Sequence, residues 1–205
     1  MHKPSMKDPV QLLRILFHIQ AAGLALSVLD SLLKNDSWIS WINILLMVGT
    51  VFCLILLTPA NTRYGKAGMF RAVQLLCRLF NMVASAWVLY LFRSSGVTPE
   101  IPLIFQLVSL AALATNWISN YYLFTAHADL VAEEDPTLSQ KWRQLFLITL
   151  VTALLTSLLS YILTTAAPGA PSILYTLLLI PGNILALIAL LYLWRTIKIL
   201  RTLEE

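Results

Sequence analysis

The sequence predicts an all-α fold, a polytopic integral membrane helical bundle of six transmembrane helices with both termini in the cytoplasm, on three observations. The composition is that of a chain dissolved in lipid: 59% of the 205 residues are hydrophobic and 12% are charged, with a mean hydropathy of +0.78. Soluble domains run about 45–50% apolar and about 25% charged. The apolar residues gather into six runs, each close to the roughly 20 residues a helix needs to cross the hydrocarbon. Finally, the basic residues sort to one side of those runs.

The first run covers approximately 9–33 and opens on Asp8-Pro9, a capping residue followed by proline at the first helical position, where the missing N–H would have had no partner. It contains Arg14 and His18 and continues to Leu33 without a small-residue cleavage site, so it reads as a retained helix rather than a signal peptide. The second run is 38–58 and the third 68–92. The fourth, 101–126, follows Thr98-Pro99, and the fifth, 138–164, follows Asp135-Pro136, two more cap-and-proline starts. The sixth, 172–196, contains Pro181-Gly182, which reads as a tolerated kink or a hinge that frees backbone carbonyls. Together the runs fill residues 1–205 as one transmembrane domain and leave no room for a soluble catalytic one.

Orientation follows from the flanking cations. Lys3, Lys7, Arg63, Lys66, Arg71, Lys141, Arg143, Arg195, Lys198 and Arg201 fall on one side, and only Lys34 and Arg93 on the other. Ten against two requires an even number of spans and a cytoplasmic N-terminus. Trp38, Trp41, Trp87 and Tyr90 then mark the outer interface, and Trp142, Tyr192 and Trp194 the inner one.

Polar side chains inside spans must face other helices or a wet cavity, and here they form stripes. Arg71, Gln74, Arg78, Asn81 and Ser85 are spaced i, i+3, i+7, i+10 and i+14, a single sector at about 100° per residue. Gln11, Arg14 and His18 form a stripe in the first span, and Gln106, Ser109, Asn116, Asn120 and His127 one in the fourth. Ser40, Asn43 and Thr50 in the second, and Thr149, Thr152, Thr156 and Ser160 in the fifth, complete a bundle with a polar interior. Under the assigned topology Arg14, His18, Gln74, Arg78, Asn81, Asn116, Asn120 and His127 converge on one inward-facing pocket. Arginines with few compensating acids suit an anionic small molecule or lipid headgroup, because guanidinium offers forked, permanent charge. Arg71, near the expected helix end, reads as snorkelling to the headgroups.

Other constellations are thinner. His18 and His127 have no Cys, Glu or Asp at ligand spacing, so no metal or cofactor is expected. Cys53 and Cys77 lie within spans and suggest no disulfide. The acidic stretch from His127 to Arg143 reads as a solvated hairpin whose Asp129 would pair with Arg14 or Arg78. Scattered cations argue against nucleic acid, and no phosphate-binding loop, zinc motif or nucleophile elbow marks an enzyme. Ala21 with Ala25 gives a small-xxx-small face that favours close helix approach. Such a face in the first helix, with six spans and cytoplasmic termini, resembles the substrate-binding subunits of energy-coupling-factor vitamin transporters, where that helix meets the coupling subunit. The resemblance is architectural and implies ligand entry from outside, whereas the polar cluster here is expected to face inward.

The functional expectation is a small membrane transporter or solute- or lipid-binding subunit. The alternative is an accessory, scaffold or sensor subunit that acts through a membrane protein partner or as a homo-oligomer, with its output through the apolar positions from Leu193 to Leu203. Compact loops suggest a bacterial inner membrane.

Overall fold

The structure is a computed structural model that describes residues 9–33, 37–95, 103–166 and 171–204. Its helices are α1 (Pro9–Leu33), α2 (Ser37–Leu56), α3 (Thr62–Ser95), α4 (Leu103–Leu130), α5 (Pro136–Ala166) and α6 (Ser172–Glu204). All six are long and apolar enough to cross a membrane, and the chain is a multi-pass membrane protein. Its surface makes the same point. Leu45 and Val83 are 69% and 71% exposed, and Leu103, Leu110, Leu154 and Tyr161 are as open, a surface that water would not tolerate over so wide an area.

Each helix packs on its neighbours in sequence, and α1 closes the ring against α6. The helices alternate in direction, so the start of α1, the α2–α3 and α4–α5 turns and the end of α6 share one end, called here the terminal end. Two aspartates clasp it. Asp129 takes Arg63 at 2.6 Å and Arg143 at 3.5 Å, together with the Asn61 amide at 3.4 Å. Asp135 pairs with Arg195 at 2.7 Å. The expected partners of Asp129, Arg14 and Arg78, lie elsewhere: Asp129 sits at the mouth of the α4–α5 turn, beside the two turns that bring Arg63 and Arg143.

Three helices run three or more residues past an end of their apolar runs. α3 begins at Thr62 rather than 68, because the Asn61 side chain accepts the Arg63 N–H at 2.9 Å and caps it there. α4 continues to Leu130 and α6 to Glu204, since a helix need not stop where the hydrocarbon stops. α5 starts at its cap-and-proline signal, two residues before its apolar run: Asp135 accepts the Leu138 N–H at 2.9 Å, with Pro136 at the first helical position. The Thr98-Pro99 start lies outside the described residues, as does Asp8. α6 runs unbroken through Pro181 and Gly182.

Among the described residues packing is densest at the terminal end. Leu13, Leu16, Leu54, Leu57, Tyr64, Leu138, Trp142 and Leu193 are all essentially buried there. Gly68 lets α3 approach α2, since a Cβ at that position would lie 3.2 Å from the Leu54 Cβ. Within this plug Tyr64 Oη lies 2.8 Å from His127 Nδ1, a hydrogen bond whose donor depends on the imidazole tautomer. Trp142 covers the imidazole at 4.7 Å between ring centroids and donates its indole N–H to Thr196 at 3.2 Å. Four helices are thereby joined by two buried hydrogen bonds and the ring contact between them.

Candidate functional site: the central cavity

Inside the ring, on the far side of the plug, lies a cavity of about 570 Å³ lined by all six helices. α1 contributes Gln20, Gly23 and Ser27, α2 Asn43 and Thr50, α3 Arg71 and Arg78, α4 Asn116 and Asn120, α5 Thr149, and α6 Gly182 and Asn183. Leu123, Phe124 and Leu190 line its terminal side, and the plug lies beyond them. Toward the far end no matching buried layer occurs among the described residues: Ser27, Arg78 and Gly182 line the cavity and are exposed.

The chemistry of this cavity rests on two guanidiniums. Arg71 donates to Gln74 Oε1 at 3.0 Å, Asn116 Oδ1 at 2.8 Å and Asn120 Oδ1 at 2.7 Å. Its Nε is buried with no hydrogen-bond partner among the described residues. These amide oxygens orient the guanidinium and accept its hydrogens, but they carry no net charge. Arg78 stands two turns farther along, about 10 Å at 1.5 Å per residue, halfway along α3. Among the described residues it makes no hydrogen bond or ion pair, and its side chain is open to the cavity. Among the described residues no Asp or Glu lines the cavity. Two permanent cations in the middle of a membrane bundle, without a carboxylate, leave a charge that is costly to hold uncompensated.

The sequence-predicted residues divide into four groups. Arg78, Asn116 and Asn120 meet in the cavity, with Gln74 buried in its wall. Asn81 lines a separate, mostly apolar groove between α3 and α4, where it donates to Ser109 at 3.0 Å. His127 is 1% exposed and belongs to the plug. Arg14 and His18 line an outer groove between α1 and α6. The residues expected to share one pocket are thus spread over the central cavity, two separate grooves and the buried plug at the terminal end. Of the Pro181-Gly182 pair, Gly182 lines the cavity.

Sequence reading missed Arg71, Gln20, Ser27 and Asn183 as site residues. Arg71 was legible as part of the α3 stripe, but with α3 expected to start at 68 it fell at a helix end. With the true start at Thr62 it lies more than two turns inside. Gln20, Gly23 and Ser27 repeat the i, i+3, i+7 spacing of Gln11, Arg14 and His18 on another face of α1, and only packing tells the two faces apart. Ser27 donates across the cavity wall to Asn183 at 3.4 Å.

Comparison with protein-family models finds none that matches the chain, and comparisons with curated proteins and with solved structures return no match either.

Proposed function

We propose that the chain is a small membrane carrier, or the solute-binding subunit of one, that takes an anionic group into the central cavity at Arg71 and Arg78. The observation that carries this reading is the pair of guanidiniums facing one cavity with no carboxylate among its described lining residues. Arg71 is held by three amide oxygens and acts as a fixed fork, while Arg78 remains open to close on the same anion. The anion supplies the negative charge that the bundle itself omits.

Orientation adds a direction. Arg63, Lys66, Lys141, Arg143, Arg195, Lys198 and Arg201 lie at the terminal end and Arg93 at the far end, which supports a cytoplasmic terminal end. The cavity then faces the outside, closed from the cytoplasm by the Tyr64–His127–Trp142–Thr196 plug. The apolar tail that motivates a partner-dependent role is partly used within the bundle: Leu193 and Ile197 are buried and Leu203 stays exposed.

The test is a thermal-shift titration of the purified protein in mild detergent with phosphate, sulfate and citrate. At least one anion should stabilise the parent. Arg78→Gln should weaken that response by about 10–100-fold, the loss of a hydrogen bond to a charged group, with little change in the unliganded melting temperature. Equal responses from parent and variant would remove Arg78 from the site.

A further inference from the structure

A cluster of cations lies outside the ring. Three arginines at the terminal end have carboxylate partners: Arg63 and Arg143 share Asp129, and Arg195 takes Asp135. Arg14 and Lys198 have no such partner among the described residues. Both line the groove of about 390 Å³ between α1 and α6, together with His18 and Arg201. Among the described residues no acidic side chain lines it. Its floor is apolar and aromatic, formed by Ile197, Phe17 and Trp194, and the last two rings lie 5.6 Å apart.

The position of the groove says what kind of anion it meets. Arg14 stands about 8 Å along α1 from Pro9, at 1.5 Å per residue, and Lys198 and Arg201 occupy the last two turns of α6. These cations therefore ring the end of the bundle, at headgroup level. Trp194 is 56% exposed on the outer surface, as an amphipathic ring at a membrane interface would be. We propose that this groove is a binding site for the headgroup of an anionic phospholipid. Its phosphate diester sits between Arg14 and Lys198, and the start of its acyl chains runs over Phe17 and Trp194. Guanidinium offers the phosphate a fork and ammonium a compact point charge. Basic pockets between membrane helices suit anionic headgroups for the same reason. An aromatic floor leading away from the cations distinguishes a lipid from a free phosphate, which needs no apolar contact. The site is independent of the central cavity, which lies inside the ring.

Native mass spectrometry of the full chain in mild detergent, titrated with phosphatidylglycerol, phosphatidylcholine or inorganic phosphate, tests it. The parent should retain phosphatidylglycerol in preference to phosphatidylcholine, and the double variant Arg14→Gln/Lys198→Gln should reduce that retention roughly 30-fold, the combined effect of two basic groups at an anionic surface. Arg78→Gln should leave it unchanged. Lys141→Gln/Arg93→Gln, which removes two exposed charges outside the groove, should also leave it near the parent level. Should the first double variant not fold, Lys198→Gln alone carries the comparison, with a smaller loss expected. Equal retention of the two lipids, an equal loss in both double variants, or displacement of phosphatidylglycerol by inorganic phosphate at comparable concentration would each overturn the assignment.

Discussion

Arg71 shows how one side chain organises the α3–α4 seam. Its three amide partners come from two helices, and removing one leaves a buried, charged donor without an acceptor. Asn120→Leu should destabilise the protein by about 1–3 kcal/mol, measured as thermal denaturation in detergent, although it adds apolar surface. Asp135 gives a second residue-scale expectation. The Leu138 N–H foremost, with Arg195 adding to it, holds its carboxyl below the ordinary value against the opposing effect of desolvation. A carboxyl whose pKa is lower folded than unfolded stabilises the fold above the unfolded value, about 4. That contribution disappears as pH falls through the folded value. Asp135→Asn keeps a capping acceptor but does not titrate, so the parent's advantage in melting temperature over this variant should be present at neutral pH and shrink below about pH 4.

At the scale of the helices, close approach at the terminal end depends on particular glycines. A Cβ on Gly65 would fall 2.7 Å from the Thr58 Oγ1 and 2.8 Å from its Cγ2, so both branches of a stiff side chain on the α2–α3 turn obstruct it. Gly65→Ala should cost about 1–3 kcal/mol through overpacking. Gly23→Ala is the contrast, because nothing lies within 4 Å of the added methyl. It should be neutral, or stabilising by up to about 1 kcal/mol from helix propensity. Helix existence and order were legible in the apolar runs, but the ends of α3, α4 and α6 were not. Hydropathy reports the thickness of hydrocarbon, whereas a helix ends where its caps and contacts end. With Asn61 as a cap, Arg71 lies inside α3 rather than at its end, and it joins Arg78 in the cavity lining.

For the molecule as a whole, the division between plug and cavity is the main fact. Trp142 joins α4 to α6 through the His127 ring and Thr196. Trp142→Ala should remove about 3–5 kcal/mol and with it much of the folded yield, while Trp142→Phe should be far milder because it loses chiefly one hydrogen bond. The proposed orientation is checked by labelling single cysteines in a background where Cys53 and Cys77 are replaced by alanine. A membrane-impermeant thiol reagent applied to intact cells should label Ser27→Cys, and should reach Lys141→Cys only after permeabilisation. The reverse pattern would invert the topology, and with it the face on which the cavity opens.

The sequence by itself determined the solvent, the number of helices and the cations' strong bias toward one end, because these follow from composition, run length and charge order, which survive any arrangement of the helices. It also determined that α3 and α4 carry polar faces, and that Arg78, Asn116 and Asn120 belong to them. Only the tertiary structure decided which faces meet. Arg14 and His18 obey the same spacing rule as Arg71 and Arg78, yet they lie outside the ring, because periodicity fixes a residue's angle about its own helix and not the rotation of that helix in the bundle. His127 looked like a ligand and became part of a plug for the same reason: its partners, Tyr64 and Trp142, come from two other helices, and no local pattern in the chain announces that they meet.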